Sequence, residues 1–323
     1  MTDNIRPVDQ AMLRIRPEKQ KMRSLWADKF KAIKDQYPQS DVPLYLTLSG
    51  AEGLDIQFFI EQGLIEITEV GSIAEIDQNK IVAVERNKRA VIKLQSKFIG
   101  LEIIEADFNS IISGSGPLAF PTGKNETKCR ARIINLDLDS SLDAQKVDDA
   151  IIFPVLEWIK KICTIHSAKD HCDWILCLTL DARLNWNEQI SSYIRDFIVN
   201  NINHDATFAS SCLKIMGEDL YSLIHSSGKI NFSILTRNQQ QIINMIFVPK
   251  LIAKLIAGDN WKVFTESNLF YGSDGYAPMV SWIMHFTWES QPVPPDHLYR
   301  SSLHEIFSHI GTIREDGQLM NFS

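Results

Sequence analysis

Several things are scarce in this 323-residue chain, and each scarcity excludes something. No apolar run approaches the ~20 residues needed to cross a bilayer, so no membrane association is expected. The opening MTDNIRPVDQ holds no apolar signal core. Cysteines number five (Cys129, Cys163, Cys172, Cys177 and Cys212), an odd count without a C-x-x-C pair. That argues against a disulfide framework and for a reducing, cytoplasmic setting. Excess positive charge is also missing: the net charge is -7 and the pI about 5.6. Global charge therefore argues against non-specific nucleic-acid binding, while leaving room for a local basic patch. Metal-ligand spacings are absent too. His304 and His309 lie five apart, off the four-residue spacing that shares a helix face, and His166 and His171 flank a loop, so all four read as structural and no metal is expected.

What is present is an alternation of strand and helix patterns. Pro17 suits the first position of a helix over about 17–36, where Leu25, Trp26, Phe30 and Ile33 recur at helical spacing. This helix and its approach carry Arg14, Arg16, Lys19, Lys21, Arg23, Lys29, Lys31 and Lys34 against few acids. Apolar runs predict strands near 44–48, 80–84, 101–105, 131–136 and 174–180. Helices are predicted over 55–62, 88–97 and 145–162, the last kinked at Pro154. Residues 63–80 read either as extended or as a loop with short helical turns, and 109–128 as a turn-rich loop. Such alternation argues for a parallel sheet covered on both faces, with right-handed crossovers.

The pattern turns helical over 187–257, with the helix at 238–257 interrupted at Pro249. Strands at 261–266 and 279–288, joined by the turn cluster 271–278, read as an antiparallel pair. In the second of these, Trp282, Phe286 and Trp288 share a face and read as core, whereas Tyr271 and Tyr276 stand where a substrate would touch. A helix at 298–309 and a polar tail close the chain. The fold class is therefore α/β: a doubly wound, mostly parallel sheet with a C-terminal antiparallel strand pair and a helical insertion. Five segments are expected: a basic N-terminal helix (1–40), an α/β core (41–186), the helical insertion (187–257), the strand pair (258–290), and a C-terminal helix and tail (291–323).

The ends of the strands carry the chemistry. The first runs into Ser49-Gly50-Ala51-Glu52-Gly53, the second ends at Glu85, the third at Asp107, and the fourth at Asp137 and Asp139. In a parallel α/β sheet the ligand sits at the C-terminal strand ends. Glycines let backbone approach a ligand closely, and successive carboxylates suit the hydroxyl and amino groups of a nucleoside. Asp137 and Asp139, two residues apart, suit acid–base work or a metal. Plainer readings stand beside these. Gly50 and Gly53 would open a helix, Glu85 would be a surface acid beside Arg86, and Asp107 or the Asp137–Asp139 pair would cap a following helix.

Five parallel-type units followed by an antiparallel pair resemble the class I S-adenosylmethionine-dependent methyltransferases. The resemblance implies S-adenosylmethionine as cofactor. It implies that Ser49, Gly50, Glu52 and Gly53 meet its methionine end, Glu85 its ribose, and Asp107 with Phe108 its adenine, while Asp137 and Asp139 stand near the acceptor. Within that superfamily, Leu48–Phe58, Val82–Asn87 and Ile134–Ser141 are similar to motifs of the tRNA guanine-26 dimethyltransferase group. Two departures stand out: Ser140-Ser141 replaces that group's proline and aromatic residue, and Asp55 replaces its arginine. The Asn/Asp-Pro-Pro-Tyr motif of amino-directed DNA methyltransferases and the Pro-Cys nucleophile of cytosine C5 enzymes are both absent. A transfer here is thus expected to be direct, with a carboxylate polarising the acceptor. A nucleic-acid acceptor reached through the basic N-terminal helix is the expected partner, with a protein partner as the alternative. The rival to an enzyme is a non-catalytic protein on the same scaffold. A nicotinamide-type dinucleotide protein is weaker, because G-x-G-x-x-G spacing is missing.

Overall fold

The computed structural model describes residues 16–106, 130–147, 150–168, 171–184, 186–226, 230–272, 276–293 and 309–321. The chain divides into two compact units. One takes in Met1–Asp137, Tyr271–Ser273 and Thr312–Met320; the other takes in Leu138–Phe270, Asp274–Gly311 and Asn321–Ser323. The architecture is mixed α/β, with parallel strand pairs, antiparallel pairs and covering helices.

In the first unit, α1 (Pro17–Gln36) starts at its proline, whose missing N–H costs nothing in the first turn. Its apolar stripe buries Met22, Trp26, Ala27 and Phe30. Phe30 stacks on Phe59 of α2 (Leu54–Glu61) at 4.9 Å and meets the edge of Tyr45 at 5.9 Å. Strand β1 (Tyr45–Thr47) lies between β2 (Ile81–Glu85) and β4 (Ile133–Ser141), parallel to both. Beyond β2 comes β3 (Glu102–Glu105), also parallel, which gives the order β3-β2-β1-β4. Tyr45, Leu46 and Ile81–Val84 are almost wholly buried, as near-continuous apolar strands covered on both faces must be.

The ambiguous stretch 63–80 proves to be both of the things it resembles. Ile67 bridges Ile73 in antiparallel sense, and α3 (Glu75–Gln78) is one helical turn. Buried Asp77 pins the segment: it takes Lys34 at 3.0 Å, the Glu66 amide at 2.9 Å and Lys80 at 3.5 Å. Helix α4 (Lys88–Lys97) follows β2, capped by Asn87, whose side chain accepts from the Arg89 and Ala90 amides.

β4 is longer than the pattern predicted. It begins in the first unit and continues through Asp137 and Asp139 to Ser141, so these acids lie within the strand and not after it. Its backbone pairing persists past the end of the apolar run, which is all that periodicity can detect.

In the second unit the expected helix over 145–162 is corrected. Gln145–Val147 (β5) and Ala150–Ile152 (β6) form an antiparallel ribbon, and the helix, α5 (Pro154–Ala168), starts at Pro154. Proline therefore opens this helix instead of kinking it, because its ring cannot follow a preceding helical turn. β7 (Trp174–Asp181) is buried throughout and pairs antiparallel with β9 (Met279–Trp288), from Trp174↔Phe286 to Asp181↔Met279. β8 (Trp261–Tyr271) lies on the other side of β9, in the order β8-β9-β7. Trp174 stacks on Phe286 at 4.0 Å, and Trp288 on His171 at 4.2 Å, so this aromatic face packs the protein.

Among the described residues, α6 (Glu188–His204), α7 (Ala206–Ser226) and α8 (Arg237–Leu255) follow β7. α7 breaks at Gly217, where φ is 73°. α8 opens with a Thr236–Gln239 capping box and runs through Pro249 without ending, contrary to the expected interruption. The predicted helix at 298–309 and the loop at 109–128 fall outside the described residues, His309 excepted. The expected polar tail instead forms β10 (Ile310–Ile313) and β11 (Leu319–Asn321). Among the described residues, no helix is long and apolar enough to cross a membrane.

Candidate functional site

The candidate site is built where β1 ends beside Asn135 and Asp137 of β4, within the first unit. Asp55, the first-turn acid of α2, is its anchor. It is 5% exposed, and three donors hold it: the Thr47 hydroxyl at 2.6 Å and the Tyr45 hydroxyl at 2.9 Å on Oδ2, and the Ile56 amide at 3.0 Å on Oδ1. A buried carboxylate is tolerable only when its lone pairs are met in this way. Asn135 Nδ2 donates in turn to the Tyr45 hydroxyl at 2.7 Å, and the Leu48 amide donates to the Asn135 carbonyl at 3.2 Å. The turn leaving β1 is thereby tied to both strands.

Two buried polar atoms here have no partner: Ser49 Oγ and Asn135 Oδ1. Native proteins leave few such atoms unsatisfied, and each calls for an explanation. The turn between them and α2 holds Gly50 at φ 57° and Gly53 at φ 52°, both left-handed. The two glycines differ in purpose. A Cβ on Gly53 would sit 2.7 Å from the Phe98 ring, so that glycine serves packing. A Cβ on Gly50 would meet nothing within 4 Å, so open space borders it.

The other sequence candidates separate. Glu52 bonds to Lys93, and its carbonyl accepts from Lys97 at 2.6 Å, so its visible work is to tie the turn to α4. Glu85 ends β2 as expected, in register with Glu105, and its Oε1 accepts from the Asn87 amide at 2.8 Å. A carboxylate offers two oxygens and several lone pairs, so one such bond does not use it up. Asp107 and Phe108 lie outside the described residues. Asp139 is described only as backbone of β4. Tyr276 is 40% exposed, while Tyr271 is buried at the end of β8.

Asp137 is not open to a ligand alone. Lys19 of α1 donates to both of its oxygens, at 2.8 and 2.9 Å. Lys19 is 7% exposed and Asp137 24%, and the Lys19 ammonium lies 5.5 Å from the centre of the Tyr271 ring. One helical turn on, Arg23 is also buried, at 6% exposed. Burial lowers the pKa of its guanidinium, an effect opposed first by the charge of Asp55 and then by that of Asp137.

Tyr45, Thr47, Asp55, Asn135, Lys19 and Arg23 were not singled out from sequence as site residues. A signal for two of them existed. Lys19 and Arg23 share the helical stripe of Met22, Trp26 and Phe30, where a solvated basic face would lie opposite it.

No family model matches the chain, and no curated protein matches it. Among solved structures it is similar to the plantazolicin methyltransferase BpumL in complex with a monoazolic desmethylPZN analog and SAH. That likeness has a TM-score of 0.37 at 10% identity, over 84% of this chain and 86% of that one. For the plantazolicin methyltransferase BamL with a triazolic analog and SAH, the TM-score is 0.36 at 9% identity, over the same shares. BpumL with SAH alone gives 0.33 at 12% identity, over 83% and 85%. At TM-scores below 0.5, these likenesses decide nothing about what this chain binds.

Proposed function

We propose that this chain is an S-adenosylmethionine-dependent methyltransferase that passes a methyl group directly to its acceptor. The observation that carries the reading is the turn after β1. Two left-handed glycines, one of them bordered by open space, stand beside two buried polar atoms without partners, at the C-terminal end of β1 beside its parallel neighbour β4. Ligands of parallel α/β sheets bind at such ends. The strand orders support the reading as well: β3-β2-β1-β4 all parallel in one unit, and β8-β9-β7 with β9 antiparallel to β7 in the other.

The residues fit the cofactor. Ser49 and the backbone at Gly50 would hold its methionine end and Glu85 its ribose hydroxyls. The resemblance assigns Asp107 and Phe108 to adenine. When bound, S-adenosylmethionine supplies an electrophilic methyl group. The protein's part is to orient the acceptor, with Asp137 polarising its proton. The proposed acceptor is a nucleic acid drawn by the cations of α1. Of those cations, Lys19 and Arg23 are buried and Lys31 pairs with Asp35 at 2.6 Å.

A second reading is favoured by one observation. Lys19 occupies both oxygens of Asp137, as a scaffold without catalysis would allow. Calorimetric titration with S-adenosylhomocysteine separates the two. An enzyme binds it, and Glu85→Ala weakens that binding at least tenfold with the melting temperature unchanged. A wild-type chain that binds neither S-adenosylmethionine nor its product is the scaffold. Labelled cofactor mixed with tRNA, DNA or protein extract then identifies the acceptor.

A further inference from the structure

Arg23 is the least explained charge in the first unit. It is 6% exposed, and no described residue forms a hydrogen bond or ion pair with it. A guanidinium carries five N–H donors in a rigid fork. Burying one without acceptors is expensive, so its neighbours should reveal why it is retained. Four surround it electrostatically: Asp55, Asp137, Tyr271 and Tyr45.

None of the four engages the fork. Asp55 accepts from Tyr45, Thr47 and the Ile56 amide. Asp137 accepts from Lys19 on both oxygens. Asp55 thus supports the positive charge of Arg23 through space while leaving its donors unspent. Lys19, four residues earlier on the same helix face, is already neutralised, so the two cations are not interchangeable.

We propose that Arg23 is an oxyanion-binding residue of the candidate site, taking a carboxylate or phosphate in the two-pronged geometry natural to guanidinium. This deepens the methyltransferase reading and rests on it for the identity of the ligand. Two sources offer the same chemistry: the α-carboxylate of the cofactor, and an anionic group on the acceptor.

The test uses the full chain, as wild type, Arg23→Gln and Arg23→Lys, with folding checked by thermal melting. Each form is titrated calorimetrically with S-adenosylhomocysteine, with 5′-methylthioadenosine (the nucleoside without the amino-acid carboxylate) and with inorganic phosphate. The expected result is a loss of at least tenfold in the affinity of an anionic ligand in Arg23→Gln, partly restored in Arg23→Lys. Weakened S-adenosylhomocysteine with unchanged methylthioadenosine assigns the fork to the cofactor's carboxylate. Weakened phosphate with unchanged S-adenosylhomocysteine assigns it to the acceptor's anion. Arg23-dependent phosphate binding in a chain that ignores S-adenosylhomocysteine upholds the oxyanion site and sinks the methyltransferase reading alone. Equal affinities of wild type and Arg23→Gln for all three ligands overturn the proposal. So does a wild type that binds none of them, a result needing no variant to fold.

Discussion

Lys250 offers the sharpest test of the energetics of the second unit. It lies on α8 at 1% exposed, with its ammonium 5.2 Å from the centre of the Phe208 ring. Burial pulls its pKa from 10.5 down to about 7, an effect opposed chiefly by the charge of Asp205. Burial pushes the Cys212 thiol upward, so it stays protonated alongside. The unfolded chain holds the lysine proton up to about pH 10.5, whereas the folded chain releases it near 7. Between these values the unfolded state binds more protons, so stability rises with pH. The contribution is fully present above about 10.5 and is lost as pH falls through 7. At about 1.4 kcal/mol per tenfold, the whole span is worth on the order of 5 kcal/mol, less whatever the pocket recovers by relaxing. Lys250→Met removes the titration and keeps the volume. It should therefore be more stable than wild type by roughly 1–3 kcal/mol at pH 6, an advantage that vanishes only above about pH 10.5. Urea unfolding at a series of pH values, followed by the fluorescence of the chain's seven tryptophans, measures this. Parallel pH profiles for wild type and variant, or a Lys250→Met chain less stable than wild type at pH 6, would refute the reasoning.

The remaining predictions concern the first unit. Asp55→Ala strands the hydroxyls of Tyr45 and Thr47 and should lower stability by about 2–4 kcal/mol; a denaturation midpoint shifted by the equivalent of less than ~1 kcal/mol contradicts the anchoring role. The glycines should separate in the same assay. Gly53→Ala meets Phe98 at a left-handed φ and should cost about 2–4 kcal/mol, whereas Gly50→Ala bears only the conformational term of about 1 kcal/mol. Equal costs at the two positions would show that Gly53 is not packed as described.

Legibility followed the range over which each signal acts. Pro17 announced the start of α1, and the apolar runs located β1, β2, β3 and β7 to within a residue or two, because such patterns are local. Pro154 misled because one residue type both kinks helices and opens them, and only the ribbon at 145–152 decides which. Pro249 misled in the opposite direction, since α8 is buried along nearly its whole length and packing sustains it through the proline. Asp55 counted as a departure from a motif, yet it proves to be the residue around which the turn is organised.

Left to itself, the order of amino acids determined β1, β2, β3, β7 and β9, most of the described helices, and the glycine turn and Glu85 where β1 and β2 end. Those features depend on neighbours within a few positions. Tertiary structure alone decided that Lys19 reaches Asp137, 118 residues away, and that Tyr45 meets Asn135, 90 away. Such pairings require the order in which strands are laid side by side and the rotation of α1 about its own axis. Neither is written in any local pattern, because both are set by how apolar faces from distant parts of the chain share one core.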